Sequence, residues 1–259
     1  MKLKVLCALA VAAAMVSFIP KTAVAGTAPP SYCNPCLFYG GDLNPSDPNA
    51  NGLANEMDLT VNQSSIYTPF VVPTGKTWNI TGLFTDNLMN ITALSADWEI
   101  RSGVSSGNGG TLLFSGSTNT PVVTDTHIND FGFEDFAVAV TGLTGIKLGA
   151  GTYWLSVVPV CLDPNNGTCS GRSFQASTDG TNAFGPPEPL NDSFWNSSFF
   201  GENFVLINSQ NIGANIDPAM SGGVIGTTGG TGTPEPSGLI LLGTGLLGLA
   251  GAARRRFGK

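Results

Sequence analysis

A run of oxygen-bearing side chains near the start of the chain has the spacing of a calcium-binding loop. The set is Asp47, Asn49, Asn51, Asn55 and Asp58, with a glycine, Gly52, between the third and fourth members. In calcium loops of EF-hand type, alternate side chains converge on the ion and a glycine permits the sharp turn between them. The segment therefore predicts a calcium site, although the last ligand is not the usual glutamate and no helical pattern flanks the loop. The alternative is an ordinary turn built from the same Asn, Asp and Pro residues.

Cysteines are the second group with possible chemistry. Cys7 lies in an N-terminal apolar run, which leaves Cys33, Cys36, Cys161 and Cys169 in the rest of the chain. A C-x-x-C unit can serve thiol redox catalysis at a helix N-terminus, or bind zinc as part of four ligands. A strand-rich chain with one histidine favours neither, so we expect structural disulfides. Four cysteines allow three pairings; we expect Cys33 with Cys36 and Cys161 with Cys169.

Catalytic and ligand-stacking residues are harder to find. The only histidine, His127, has no nucleophile motif to work with, and Glu134 and Asp135 are neighbours that a strand directs to opposite faces. Tryptophan can stack on sugar rings. Trp195 lies in a Pro/Asn/Ser-rich segment, residues 182–200, that we interpret as a long loop, so it is our candidate for a ligand-facing aromatic ring.

Short strands must position all these groups. Apolar and polar residues alternate from Trp78 to Phe84, from Ala96 to Ile100, from Phe136 to Val140 and from Tyr153 to Val157. Alternation with a period of two is typical of half-buried strands, and Gly/Asn/Pro turns separate the runs. We therefore predict an all-β fold, a single β-sandwich of jelly-roll type, over residues 26–220.

The N-terminus has the pattern of a secretory signal peptide. Lys2 and Lys4 precede an apolar run, and Ala23-Val24-Ala25 fits the small-x-small cleavage rule. We assign residues 1–25 to this signal. The rest of the chain is then exported to a compartment that permits disulfides.

The C-terminus combines three features in a fixed order. Pro234-Glu235-Pro236 comes first, then an uncharged apolar segment from Gly238 to Ala253, then Arg254, Arg255 and Arg256. The apolar segment predicts a short transmembrane helix at 238–253, and the arginines place its end in the cytoplasm. We interpret residues 221–233, rich in Gly and Thr, as a flexible linker.

This tail, residues 234–259, resembles the PEP-CTERM sorting signal of bacterial exported proteins. The resemblance implies that a membrane enzyme of the exosortase type recognises Pro-Glu-Pro and removes the tail. It also implies an inner-membrane-anchored precursor that later reaches the cell surface or the extracellular matrix. Proteins with this signal are associated with exopolysaccharide and biofilm matrix.

The charge of the exported part limits its partners. Between residues 26 and 233 lie only four of the 11 basic residues, Lys76, Arg101, Lys147 and Arg172, and 17 of the 18 acidic ones, a formal charge of −13. Such a segment is expected to repel nucleic acid and anionic membrane surfaces.

The sequence thus favours a non-catalytic surface or matrix protein with a structural or adhesive role. The alternative is a secreted carbohydrate-binding module, with calcium as a candidate support and extracellular polysaccharide as its partner. No other cofactor is expected.

Overall fold

Alternating sequence becomes alternating burial in the longest strands. In the computed structural model, Trp78 and Ile80 are buried while the residues that follow each of them, Asn79 and Thr81, are exposed. The structure describes residues 28–57, 63–161, 171–187 and 192–230. Its strands are β1 (Cys36–Tyr39), β2 (Gly52–Ala54), β3 (Ser64–Val72), β4 (Lys76–Met89), β5 (Ser95–Ser102), β6 (Thr111–Thr118), β7 (Val122–Asp130), β8 (Phe133–Leu148), β9 (Gly151–Val160), β10 (Ser173–Thr178), β11 (Phe194–Ser197), β12 (Glu202–Leu206), β13 (Ala219–Met220) and β14 (Gly222–Gly230), with one helical turn, α1 (Ser209–Ile212).

The strands form two antiparallel sheets, which confirms the predicted all-β sandwich. The first sheet has eight strands and is built around β4, which pairs with β8 on one side and with β14 and then β10 on the other. The second sheet has six strands in the order β12-β11-β3-β9-β5-β6. Apolar side chains from the facing surfaces of both sheets, among them Phe70, Trp78, Ile100 and Leu155, make the main core.

Two connections between the sheets lie at the same end of the sandwich. The turn at residues 73–75 joins β3 to β4, and the turn at residues 149–150 joins β8 to β9. Val72 pairs with Gly151 in one sheet, and Trp78 pairs with Leu148 in the other, so both turns are level. Strand β14 ends here too, because Gly230 pairs with Lys76. We call this the tail-proximal end.

The predicted linker at residues 221–233 is wrong for residues 222–230, which form strand β14 between β1 and β4. Val224 is fully buried there. Glycine is required by close packing: a Cβ on Gly223 would lie 2.3 Å from the ring of Phe84, and one on Gly226 would lie 2.2 Å from the carbonyl oxygen of Asn79. Glycine in this stretch therefore marks close approach within a sheet and not flexibility.

Both targeting segments lie outside the described residues. This applies to the signal peptide at 1–25, to the predicted span at 238–253 and to the whole tail from Pro234 to Arg256. Within the described ranges, no helix has the length and apolar character needed to cross a bilayer.

Candidate binding groove

The outer face of the six-stranded sheet carries polar side chains in register across three strands. Glu99 of β5 lies between Ser156 of β9 and Ser115 of β6, and on the next row Asp97 lies opposite Ser117. Side chains at alternate positions of a strand share a face, so these groups project away from the core residues Ile100 and Leu155. They line a groove of about 220 Å³ together with Gln63, Ser65, Tyr67 and Val158.

The groove opens where two neighbouring strands separate. Strands β3 and β9 pair from Thr68–Leu155 to Val72–Gly151, but not at the Ser65 end of β3. The side-chain amide of Asn55 bridges the gap: its Oδ1 accepts a hydrogen bond from the Ile66 backbone at 3.3 Å, and its Nδ2 donates to the Val157 carbonyl at 2.8 Å. One buried amide thus replaces the missing ladder bonds and keeps the two strands apart.

Two hydroxyl groups in this groove have no partner within the described part of the chain. Ser65 and Ser156 are each 1% exposed, and neither Oγ makes a hydrogen bond with a described residue. Leaving a buried hydroxyl unpaired costs about 1–3 kcal/mol. Both serines line the same small space, so a polar ligand or a water held there would be close to the two hydroxyls.

The carboxylates of the groove are held in place by neighbouring groups. Glu99 accepts hydrogen bonds from Arg101 Nε at 2.6 Å and from the Tyr67 hydroxyl at 3.0 Å. Arg101 also lies over the Tyr67 ring, 5.5 Å from its centroid. Burial, and then the charge of Glu99, raise the pKa of Tyr67 above its usual range, so this hydroxyl stays a proton donor. Asp97 Oδ1 accepts from Ser117 Oγ at 2.5 Å.

A second polar cluster lies on the outer face of the other sheet and is closed. Asp86 is 0% exposed, and its Oδ2 accepts hydrogen bonds from Tyr39 and from Ser221, each at 2.7 Å. Burial raises the pKa of Asp86 to about 6. Asp135 on the neighbouring strand is 1% exposed, and burial and the nearby Asp86 raise its pKa well above its usual range. We call Asp42, Asp86, Asp135, Tyr39 and Ser221 the carboxyl cluster.

The predicted calcium ligands do not act as one set. Asn55 is fully buried and its amide is committed to the bridge between β3 and β9. Asp47 Oδ1 instead accepts from the Asn49 backbone at 2.7 Å, and the Asn51 amide contacts Gly52 and Asn215. No three acidic, His or Cys side chains of the described ranges are arranged to hold a metal ion. Asp58 lies outside these ranges. Calcium binding by the exposed members of the set stays a prediction.

Trp195 is not a ligand-stacking residue. It lies in strand β11, and not in the long loop predicted for residues 182–200. Its side chain is 8% exposed, and its Nε1 donates to Ser64 Oγ at 2.8 Å and to the Ala54 carbonyl at 3.1 Å. The prediction failed because Pro and Asn residues before β11 hide a strand of only four residues.

The cysteine predictions are confirmed where they can be followed. Cys33 and Cys36 form a disulfide with each other. Cys161 is also disulfide-bonded, with a partner outside the described residues, where Cys169 lies as well.

Sequence reasoning missed the groove. The sequence does not single out Ser65, Ser156 or Tyr67 as candidate binding residues. Neither serine nor tyrosine is distinctive without a motif around it. The available signal was that serine stands on the outer face of two strands whose other face is strongly apolar. Asp97 and Glu99, on the neighbouring strand, alternate with apolar residues in the same way. In the sequence, that alternation predicts only a strand.

Comparison with known protein families places the C-terminal tail. The family model of the PEP-CTERM protein-sorting motif matches residues 233–256. No curated protein and no solved structure matches the chain. The chain therefore carries a PEP-CTERM sorting motif and is an exported exosortase substrate, anchored in the membrane before processing and then released to the cell surface.

Proposed function

We propose that the processed protein is a non-catalytic adhesive component of the cell surface that binds a neutral polysaccharide through the groove on its six-stranded sheet. The observation that supports this most directly is the pair of buried, unpartnered hydroxyls, Ser65 Oγ and Ser156 Oγ, in a space lined by further polar groups.

The chemistry of the lining fits a sugar. Serine hydroxyls donate and accept, and carboxylates such as Asp97 accept, which suits ligands with many hydroxyl groups. The space of about 220 Å³ is smaller than the roughly 300–1,000 Å³ of pockets for drug-sized ligands, so one sugar ring of a chain would occupy it. An anionic polysaccharide would face Asp97, Glu99 and a strongly acidic body, so a neutral one is favoured.

Binding is favoured over hydrolysis by the contacts that the two carboxylates, Asp97 and Glu99, already make. Glycoside hydrolysis needs one carboxyl in its protonated form as the general acid. Glu99 is instead ion-paired, with Arg101 Nε 2.6 Å from its Oε2. Asp97 Oδ1 accepts a hydrogen bond from Ser117 Oγ at 2.5 Å.

The test is a binding titration of the processed protein against a panel of neutral and anionic polysaccharides. We expect Ser156→Ala to weaken binding to a neutral member about fivefold, the equivalent of about 1 kcal/mol for one hydrogen bond. The matched control is Ser64→Ala. Ser64 is as buried, but its Oγ faces Trp195 and Ala54, so this variant should bind normally.

Three results would contradict the proposal. One is binding to no neutral polysaccharide in the panel, another is equal binding by wild type and Ser156→Ala. The third is release of reducing ends from a bound polysaccharide, which would show an enzyme in place of a binding protein.

A further inference from the structure

The four basic residues of the exported body are distributed unevenly, and the arrangement has a consequence for the anchored precursor. Arg101 and Arg172 are ion-paired, with Glu99 and Glu56 respectively, each at 2.6 Å. Lys76 and Lys147 are exposed and form no ion pair with any described residue. The two lysines are therefore the only basic side chains of the described ranges that are left to meet an external anion.

Both lysines lie at the tail-proximal end. Lys76 is the first residue of β4 and pairs with Gly230, the last residue of β14. Lys147 pairs with Asn79 on the other side of β4, one residue before the end of β8. Lys147 also lines an open depression of about 510 Å³ with Leu113 and Tyr153. Leu113 is 36% exposed, so this end presents apolar surface beside the positive charge.

The chain returns to the membrane from this same end. Three residues, 231–233, separate Gly230 from Pro234 of the sorting motif, and eight steps separate Gly230 from Gly238 at the start of the apolar segment. A residue spans at most about 3.6 Å, so Gly230 stays within about 29 Å of the point where that segment begins. Until the tail is removed, this tether keeps the tail-proximal end within reach of the bilayer.

The acidic groups are concentrated toward the other end. Asp86 and Asp135 lie near the far ends of their paired strands. Asp125 is level with them on β7, and Asp130 and Glu134 lie farther out on the β7–β8 hairpin. Lys76 and Asp86 are ten residues apart on β4, about 33 Å at 3.3 Å per residue. The Debye length is about 8 Å at physiological salt, so this acidic end is screened from a surface that the lysines touch.

A few acidic residues lie closer to the two lysines and reduce the positive charge of the tail-proximal end. Asp192 is level with Trp154 in the six-stranded sheet, since its carbonyl accepts from the indole nitrogen at 2.7 Å. Glu99 is nearer to this end than Asp86 but is neutralised by Arg101. Lys76 and Lys147 both belong to the eight-stranded sheet, so the positive side of this end is the side of that sheet.

We propose that Lys76 and Lys147 dock the anchored precursor onto anionic phospholipid headgroups, and so hold the tail-proximal end against the membrane while the sorting motif awaits cleavage. Each lysine near an anionic surface contributes about 1 kcal/mol, which is too weak to retain a free protein but sufficient to orient a tethered one. Once the tail is cut, the tether is lost and the strongly acidic body leaves the surface. The docking thus operates only in the precursor.

The test uses the whole chain without its signal peptide, reconstituted into vesicles, and follows lysine acylation by mass spectrometry. Lys76 and Lys147 are the only lysines of the body, so each reports on one position. Asn129→Lys adds a reference amine on an exposed position of β7 at the opposite end. The vesicles contain either phosphatidylglycerol with phosphatidylethanolamine or phosphatidylcholine alone.

In anionic vesicles at about 0.1 M salt, we expect Lys76 and Lys147 to be acylated about fivefold more slowly than in phosphatidylcholine, the factor equivalent to about 1 kcal/mol. The difference should vanish at about 1 M salt, where the Debye length is about 3 Å. The reference lysine should react equally in both vesicles.

Equal acylation of Lys76 and Lys147 in both kinds of vesicle overturns the proposal. Equal protection of the reference lysine shows that the body lies on its side and also overturns it. Protection that arises only when a processing enzyme is added assigns the lysines to a protein partner, and the lipid proposal fails.

Discussion

The groove and the carboxyl cluster are the two polar regions of the sandwich, and they differ in what covers them. Both lie on an outer sheet face, and both hold buried oxygen atoms that lack a partner in the described part of the chain: Ser65 Oγ and Ser156 Oγ in one, Asp86 Oδ1 and Asp135 Oδ1 in the other. The carboxyl cluster is covered by the N-terminal segment: Tyr32 and the cluster's own Tyr39 both donate hydrogen bonds to Asp86. The Cys33–Cys36 disulfide crosslinks this segment. Among the described residues, no such segment covers the groove.

Because of this difference, we expect the carboxyl cluster to affect the stability of the protein and the groove to affect ligand binding. A closed cluster can exchange only protons with its surroundings, so its unpaired atoms should make folding depend on pH. An open one can satisfy its unpaired atoms with a ligand, so its hydroxyls should affect binding more than folding. Three variants, taken from the largest expected effect on stability to the smallest, test whether the two regions are really different.

Removing the amide that separates β3 from β9 should have the largest effect. Asn55→Ala leaves the Ile66 N–H and the Asn87 Oδ1 without partners in the core. We expect a loss of about 3 kcal/mol in the free energy of unfolding, at about 1–3 kcal/mol per orphaned group, measured by urea titration.

Asn51→Ala is the matched control, since Asn51 belongs to the same predicted calcium set but its amide is exposed. It should cost under about 1 kcal/mol. A similar loss in both variants would contradict the bridging role. Should calcium raise the melting temperature of wild type and not of Asn51→Ala, the exposed part of the predicted loop binds the ion.

Protonation of the carboxyl cluster should give the next effect. Burial raises the pKa of Asp86 to about 6, against about 3.9 in an unfolded chain. The folded state therefore binds this proton more tightly, so the stabilisation is complete below about pH 4 and is lost as the pH rises through about 6. Asp135 acts in the same direction, because its pKa is also raised.

Asp86→Asn keeps an acceptor for Tyr39 and Ser221 but cannot ionise. We expect it to be more stable than wild type by on the order of 2 kcal/mol at pH 8 and equal to it at pH 4, in thermal or urea unfolding followed across pH. A difference that is the same at every pH would show that Asp86 is not the titrating group.

The smallest effect on stability should come from the groove. Ser156→Ala removes a hydroxyl that no described residue contacts. With water as its partner in the free groove, the penalty for an unpaired hydroxyl does not arise, and the free energy of unfolding should change by less than about 0.5 kcal/mol. Ser64→Ala should cost about 1 kcal/mol, because its Oγ accepts from Trp195 and donates to Ala54. If Ser156→Ala is the more destabilising of the two, the groove is part of the folding core and the comparison fails.

The sequence predicted those parts of the fold in which one period dominates. The sequence predicts strands β4, β5, β8 and β9 because apolar residues occupy every second position over several residues of each strand. The disulfide between Cys33 and Cys36 is the expected one of three pairings that four cysteines allow, and the structure confirms it. The sorting tail was recognised because its three features are contiguous in the chain.

The missed elements have other physical causes. The glycines of β14 predict a linker by composition, but in the structure they allow close packing against Phe84 and Asn79. Such tertiary contacts leave no local pattern in the sequence. Trp195 was misplaced because a four-residue strand is too short for a period to show. The groove depends on the point where β3 and β9 separate. That point is set by Asn55, which belongs to neither strand, so the alternation within the strands does not reveal it.

The position of β14 determines the order in which this protein is completed. The strand lies between β1, near the N-terminus of the exported body, and β4, so the eight-stranded sheet cannot close until nearly the whole chain is available. Contacts between such distant segments form slowly, after much loop entropy has been lost. Pro234 lies within about 14 Å of Gly230 by chain length, so the processing enzyme works beside the strand that finishes the sheet. A precursor that has not yet folded therefore presents residues 222–230 as extra exposed chain next to the cleavage motif, whereas a folded one presents the motif at the edge of a completed sheet.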